Sequence, residues 1–190
     1  MSLFHSLCRS SSRRFFKRGL FALPVLFVAF QFMACTMEPD GDEGVWITGP
    51  WPYLYGEWAT EFDSYIINTV TGRLEYDDGG WGMGFSGEIQ GMLLFTRAST
   101  SGVIFIRYSE DGRPTDWDWS DPENPIAIPI DGDYIGVFFR NLTDTSGQFA
   151  NPVDANFRTP AQQTLAAARL AFTVDTMGDY VSFWATYTRQ

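Results

Sequence analysis

The sequence predicts a mainly β protein: a single antiparallel up-and-down barrel of about eight strands, with one helix before the last strand. Three observations carry this expectation. Short runs of β-branched and aromatic residues recur between glycine-bearing turns, as in Tyr65–Val70, then Thr71-Gly72, then Arg73–Tyr76. Only one stretch beyond residue 35, Pro160–Phe172, sustains helix-forming composition. A sheet with so few helices to cover it disposes of its exposed edges by closing on itself.

Residues 1–34 are set apart from the rest. Arg9, Arg13, Arg14, Lys17 and Arg18 precede an apolar run from Gly19 to Ala34, and no acidic residue occurs among them. A basic segment, an apolar segment and small residues before a cut describe a secretory signal peptide. Here the cut falls before Cys35, in the manner of a bacterial lipobox, matched at Ala34 and Cys35 and departed from at Phe32 and Met33. Cys35 is therefore the expected lipid attachment site (a palmitate-type acyl anchor), and the expected location is extracytoplasmic, at the outer membrane or cell surface. An uncleaved membrane anchor is the alternative, although the apolar run is short of the ~20 residues of a spanning helix. Ser12-Arg13-Arg14-Phe15-Phe16 also resembles a twin-arginine export signal. The apolar run and the lack of a cofactor motif favour the general secretory route.

Residues 35–52 read as an acidic tether ending in Gly49-Pro50-Trp51-Pro52, and 53–190 as the barrel domain. Gly56–Phe62 alternates as a strand. Asp77-Asp78-Gly79-Gly80 marks a turn before a long strand over Phe85–Phe95, with Gly87 and Gly91 as bulge or bend positions. Val103–Tyr108 is the most strand-like run. Residues 110–132 are acidic, proline-bearing and tryptophan-bearing, and read as one long loop. Tyr134–Arg140 is a strand, and a short one follows near Gly147–Ala150. The helix is expected over Pro160–Phe172, capped by Thr159 with Pro160 in its first position. Tyr180–Tyr187 closes the chain as a strand.

Gly56-Glu57-Trp58 resembles the Gly-x-Trp motif that opens lipocalins. Over residues 54–188 the chain is similar to a group of little-characterised spirochaete-type bacterial lipoproteins with a lipocalin-like (calycin-like) barrel. The matching parts are Gly56-Glu57-Trp58, Tyr76-Asp77-Asp78, Phe139–Thr143 and Gly178–Trp184. The resemblance implies a lipid-anchored surface or periplasmic protein and brings no catalytic residue with it.

Beyond Cys35 the chain carries 23 acidic residues against eight arginines and no lysine, a net charge of −15. Such a charge repels phosphates and anionic headgroups, so nucleic acid is not an expected partner. The only histidine is His5, and the only other cysteine is Cys8, both in the signal. Histidine- and thiol-dependent nucleophilic mechanisms and thiolate zinc sites are thereby excluded for the domain. Paired carboxylates remain open to glycoside chemistry, but with so many acidic residues some pair meets any spacing by chance. Asp116, Asp118 and Ser120 have the opening spacing of a calcium loop, which then fails at Asp121 and Ala127, where glycine and glutamate belong.

The functional expectation is a non-enzymatic, membrane-tethered, monomeric module that binds a small apolar or aromatic ligand, with no cofactor and no metal. The candidate ligand-binding residues are Trp58, Trp117, Trp119, Phe105, Phe138 and Trp184. Aromatics are more numerous than a core of this size needs, and Trp117 and Trp119 sit where a loop can present them as stacking platforms. Trp58 also reads as a structural anchor at the closed end. The alternative is a surface interaction protein for a protein or glycan partner, with the barrel filled. An interior void lined by aromatics separates the two.

Overall fold

The computed structural model describes residues 36–39, 44–96, 100–110, 112–118, 120–129, 132–154, 158–181 and 183–190, with the backbone alone at 36–39, 116, 117 and 129. Strands β3 (Gly56–Ala59), β4 (Ser64–Asn68), β5 (Arg73–Asp77), β6 (Phe85–Leu94), β7 (Gly102–Tyr108), β10 (Tyr134–Arg140), β11 (Ser146–Ala150) and β12 (Ala185–Arg189) pair with their neighbours in chain order. β12 returns to β3, so the eight strands form a closed antiparallel up-and-down barrel, as expected.

The register decides which side chains face inward. Trp58, Tyr65, Tyr76 and Phe85 are directly opposed across β3, β4, β5 and β6. Because side chains alternate, Ile67, Leu74, Ile104, Ile106, Val137, Phe139, Phe149 and Tyr187 share that inner face. The long β6 changes partner halfway. Its first half pairs with β5, and its last residues, Met92–Leu94, pair with β2 (Val45–Thr48), which carries β1 (Thr36–Pro39) on its outer edge. The change coincides with a register shift between Ile89 and Gly91, at one of the two glycines marked for a bulge.

Within the tether expected over 35–52, Thr36–Pro39 and Val45–Thr48 are strands of the sheet. Val45, Trp46 and Ile47 are buried on β6, because this β-branched and aromatic run gains more from the unpaired half of β6 than from solvent. The Trp46 ring lies across Gly91, where a Cβ would come within 2.3 Å of Cζ2, and stacks on Phe105 with ring centroids 5.4 Å apart. Residues 1–34, expected to be a signal peptide, and Cys35, the expected lipid attachment site, lie outside the described residues.

Helix α1 (Leu165–Ala171) packs on the outside of β7 and β10. Phe172 at its end meets Phe138 edge-on at 6.2 Å, and Gly136 leaves room for it, since a Cβ there would lie 2.9 Å from the Phe172 ring. Arg169 of the same helix sits 4.3 Å above Trp46. This outer layer explains the continuous apolar runs of β7 and β10: both faces are covered, one by the barrel interior and one by α1 and β2.

The expected helix was too long. Thr164, not Thr159, caps it, accepting from the Ala167 N–H at 3.1 Å. Pro160–Gln162 runs extended instead, because Gln162 bridges to Tyr134 at the edge of β10 with 2.8 and 2.9 Å backbone bonds. A further short helix, α2 (Met177–Tyr180), delays the final strand to Ala185. Within the expected loop 110–132, strands β8 (Thr115–Asp118) and β9 (Ile126–Pro129) form a separate hairpin. Asp118 and Asp121 close its tip, accepting the Ser120 and Glu123 N–H groups at 2.9 and 3.0 Å. The Ser120 bond holds the Asp118 carboxyl below its ordinary range, and the Asn124 side chain, with the Glu123 N–H, does the same for Asp121.

Candidate binding site at the barrel mouth

Strand alternation places the β3–β4 turn, the β5–β6 loop, the β8–β9 hairpin and the long β11–β12 connection at one end of the barrel. The opposite end is closed. There Trp58, 0% exposed, donates from Nε1 to the Leu54 carbonyl at 3.0 Å, and Leu54 itself is fully buried. Arg189 lies over the Trp58 ring and donates to the carbonyls of Pro52 and Tyr55. Trp51 meets Phe139 edge-on at 6.1 Å, and Thr69 bonds the Trp51 carbonyl.

The other end opens into a cavity of about 560 Å³. Its walls belong to an aromatic belt inside the barrel. Ring centroids run from Trp58 to Phe149 at 5.4 Å, Phe149 to Tyr65 at 5.2 Å, Tyr65 to Tyr76 at 4.7 Å and Tyr76 to Phe85 at 5.2 Å. Tyr187 stands edge-on to Tyr65 and Phe149 at 5.1 and 5.5 Å. Spacings of this kind are favourable beyond the area they bury.

Polar groups converge at the same level. The β3–β4 turn is closed by Thr60, whose hydroxyl accepts from the N–H groups of Phe62 and Asp63 at 3.0 Å and donates to the Asp63 carboxylate. That turn aims Asp63 over the barrel, where its Oδ2 accepts from Tyr76 at 3.0 Å and from Tyr187 at 2.5 Å. Tyr65 donates to Asn151 Oδ1 at 2.6 Å. Burial first, and then the nearby Asp63 carboxylate, push the Tyr76 and Tyr187 phenols well above their ordinary range. Burial and the neighbouring phenols raise Tyr65 as well. All three therefore stay protonated as donors. Deeper in the wall the Tyr108 hydroxyl, raised by burial alone, has no hydrogen-bond partner among the described residues.

The rim is apolar and exposed. Phe62, Trp81, Met83 and Phe183 line the opening, with Trp81 80%, Phe183 75% and Phe62 72% exposed. The first two sit on loops in direct contact, since a Cβ on Gly79 would lie 2.1 Å from the Phe62 carbonyl oxygen. Asp78 shapes the second loop by accepting the N–H groups of Gly80, Trp81 and Met83.

Four of the six residues expected to bind ligand lie away from this cavity. Trp58 is inside the barrel but sealed in its closed end. Phe105 and Phe138 are 0% exposed on the outer face, under Trp46 and α1. Within a continuous apolar run, alternation alone does not tell the inner face from a covered outer one. Trp184 stacks with Arg140, 4.2 Å from its centroid. None of these four lines the cavity. The Trp117 side chain and all of Trp119 lie outside the described residues, although their hairpin is at the mouth end and Thr115 reaches the Gly82 carbonyl at 3.3 Å.

Asp63, Tyr65, Tyr76, Tyr187, Trp81 and Phe183 are the site residues that sequence reasoning missed. A usable signal was present in the turns: Phe62, Trp81 and Met83 are large apolar side chains among turn residues that bury nothing. Among the described residues there is no group of acidic side chains arranged to hold a metal ion, and no helix long and apolar enough to cross a membrane. The fold and cavity together define a closed eight-stranded barrel with one sealed end and one open, aromatic end. Comparison of the chain with protein-family models, with curated proteins and with solved structures finds no match.

Proposed function

We propose that this chain is a lipid-anchored extracytoplasmic binding protein that takes a small apolar or aromatic ligand into the mouth of its barrel and performs no covalent chemistry on it. The observation that carries the reading is the cavity of about 560 Å³, walled by stacked aromatic rings and rimmed by exposed ones. Pockets for small molecules are of this size, mostly apolar, with a few converging polar groups. The lipobox-like context of Cys35 supports the anchor, and the acidic charge keeps the domain soluble beside a membrane.

Native mass spectrometry of the purified protein tests the reading, with tryptophan fluorescence as second readout because Trp81 lies on the rim. A co-purified small molecule, or saturable quenching by an apolar aromatic probe that is lost in a Phe183→Asp variant, is the expected result. Probe binding unchanged by that variant sends the ligand elsewhere. The second reading, a surface interaction protein, is favoured by the exposure of Phe62, Trp81 and Phe183. It predicts no small-molecule binding at all.

A further inference from the structure

We propose that the ligand of the mouth cavity is a small organic cation, an amine or quaternary ammonium on an apolar or aromatic body; this rests on the cavity reading above and narrows it. Among the described residues the lining includes two carboxylates, Asp63 and Asp78, and no lysine or arginine. No lysine follows Lys17 in the chain. Five of the eight arginines beyond Cys35 are engaged elsewhere: Arg73 pairs with Glu75, Arg113 with Asp133, and Arg140, Arg169 and Arg189 stack on Trp184, Trp46 and Trp58.

The direction of the hydrogen bonds adds to the charge. Tyr76 and Tyr187 spend their protons on Asp63, and Tyr65 spends its proton on Asn151. What the three phenols offer the cavity is therefore lone pairs. Among the described residues Asp63 is held by neutral hydroxyls, those of Thr60, Tyr76 and Tyr187. An ammonium would meet a carboxylate and phenol oxygens, which attract positive charge, among the rings of Tyr76, Phe85 and Trp81 that line the cavity. An anion would meet two carboxylates, offset among the described lining side chains by the neutral donors of Asn151, Thr159 and Trp81. A neutral apolar ligand would gain from the rings but nothing from Asp63. With a net charge of −15 beyond Cys35, the surrounding field also draws cations toward the mouth.

The test uses two probes of the same shape, benzyltrimethylammonium and its carbon isostere neopentylbenzene, titrated into the purified full-length protein by tryptophan quenching and calorimetry. The expected result is binding of the cation at least about tenfold tighter than the isostere, weakening as salt is raised. Asp63→Asn, whose amide oxygen still accepts from Tyr76 and Tyr187, is expected to remove most of that preference, read as the ratio of the two affinities. Asp78→Asn, on a separate loop, provides a second variant should the first not fold. Equal affinity for both probes in the unmutated protein overturns the cation proposal and leaves the cavity reading standing. Binding of neither probe overturns both. Retention of the full preference in both variants assigns the cation to another site and overturns the role given to Asp63.

Discussion

The guanidinium of Arg189 sits 5.2 Å from the centroid of the Trp58 ring while donating to the carbonyls of Pro52 and Tyr55. The last strand thus fastens the segment that precedes the first strand, at the point where the barrel closes. Trp58 also packs on Phe149, and its Nε1 is satisfied by Leu54.

Trp58→Ala is expected to destabilise the fold by about 3–5 kcal/mol, since it removes a buried indole and leaves a cavity that strands on both sides cannot fill. Arg189→Ala loses the stacking and two carbonyl contacts at a partly exposed position, and about 1–2 kcal/mol is expected. Urea melts of the two variants check the order. A Trp58→Ala midpoint near that of the unmutated protein would show that the closed end does not depend on the indole.

How much of this was legible follows from what each residue's neighbours in sequence reveal. Gly56-Glu57-Trp58, the turn at Asp77–Gly80 and the irregularity at Gly91 are local signals, and all three fall where the pattern places them. The start of α1 is a contest between two good caps, Thr159 and Thr164. A bridge from Gln162 to Tyr134, between residues 28 apart in the chain, decides it. Val45–Ile47 carries an evident strand pattern, but its acidic flank suggested a tether, and only the free half of β6 gives it a partner. The Asp63 cluster was the least legible. Its members come from a turn and three strands, and no spacing in the chain marks residues that meet only when the barrel closes.

The buried phenols make stability sensitive to alkali. Tyr65, Tyr76, Tyr108 and Tyr187 are all raised above the ordinary value of 10.0 in the fold. Below that value both folded and unfolded chains hold these protons, and the tyrosines add no pH dependence. Above it the unfolded chain ionises while the folded chain does not, so unfolding releases protons and stability falls as pH rises toward the folded values. Urea midpoints are expected to be independent of these groups up to pH 10.0 and to drop beyond it, with less of a drop in Y187F than in the unmutated protein. Tyrosinate absorbance from the belt is expected to appear together with unfolding. If it develops fully while the circular dichroism remains native, the belt is open to solvent and the floor of the cavity is not as placed.

The proposed anchor at Cys35 can be tested apart from the barrel. Cys35→Ser removes the only thiol beyond residue 34 and leaves every strand from β2 onward untouched. It is expected to abolish fatty-acid labelling and move the protein from the membrane fraction to the soluble one, because acyl chains bind membranes by about 0.8 kcal/mol per buried methylene. Melting and ligand binding of the domain are expected to stay as they were. Undiminished labelling in the variant would end the lipoprotein reading.

The rim is the place where binding and stability come apart. Phe183 and Trp81 are large and apolar yet mostly exposed, so removing either one gives up little buried area and little stability. A double variant, Phe183→Ala with Trp81→Ala, is expected to melt within about 1 kcal/mol of the unmutated protein. By contrast Tyr65, at the floor, touches Tyr76, Phe149 and Tyr187 at once and bonds Asn151. Tyr65→Ala is expected to cost about 3–5 kcal/mol, as for other large aromatic truncations in a core. Comparing the pair distinguishes a ligand opening from an incomplete core. If the rim variant unfolds as readily as Tyr65→Ala, Phe183 and Trp81 close over the cavity in solution and the mouth is part of the packed interior. If it folds normally and loses the aromatic probe, the exposed rings are kept for the ligand.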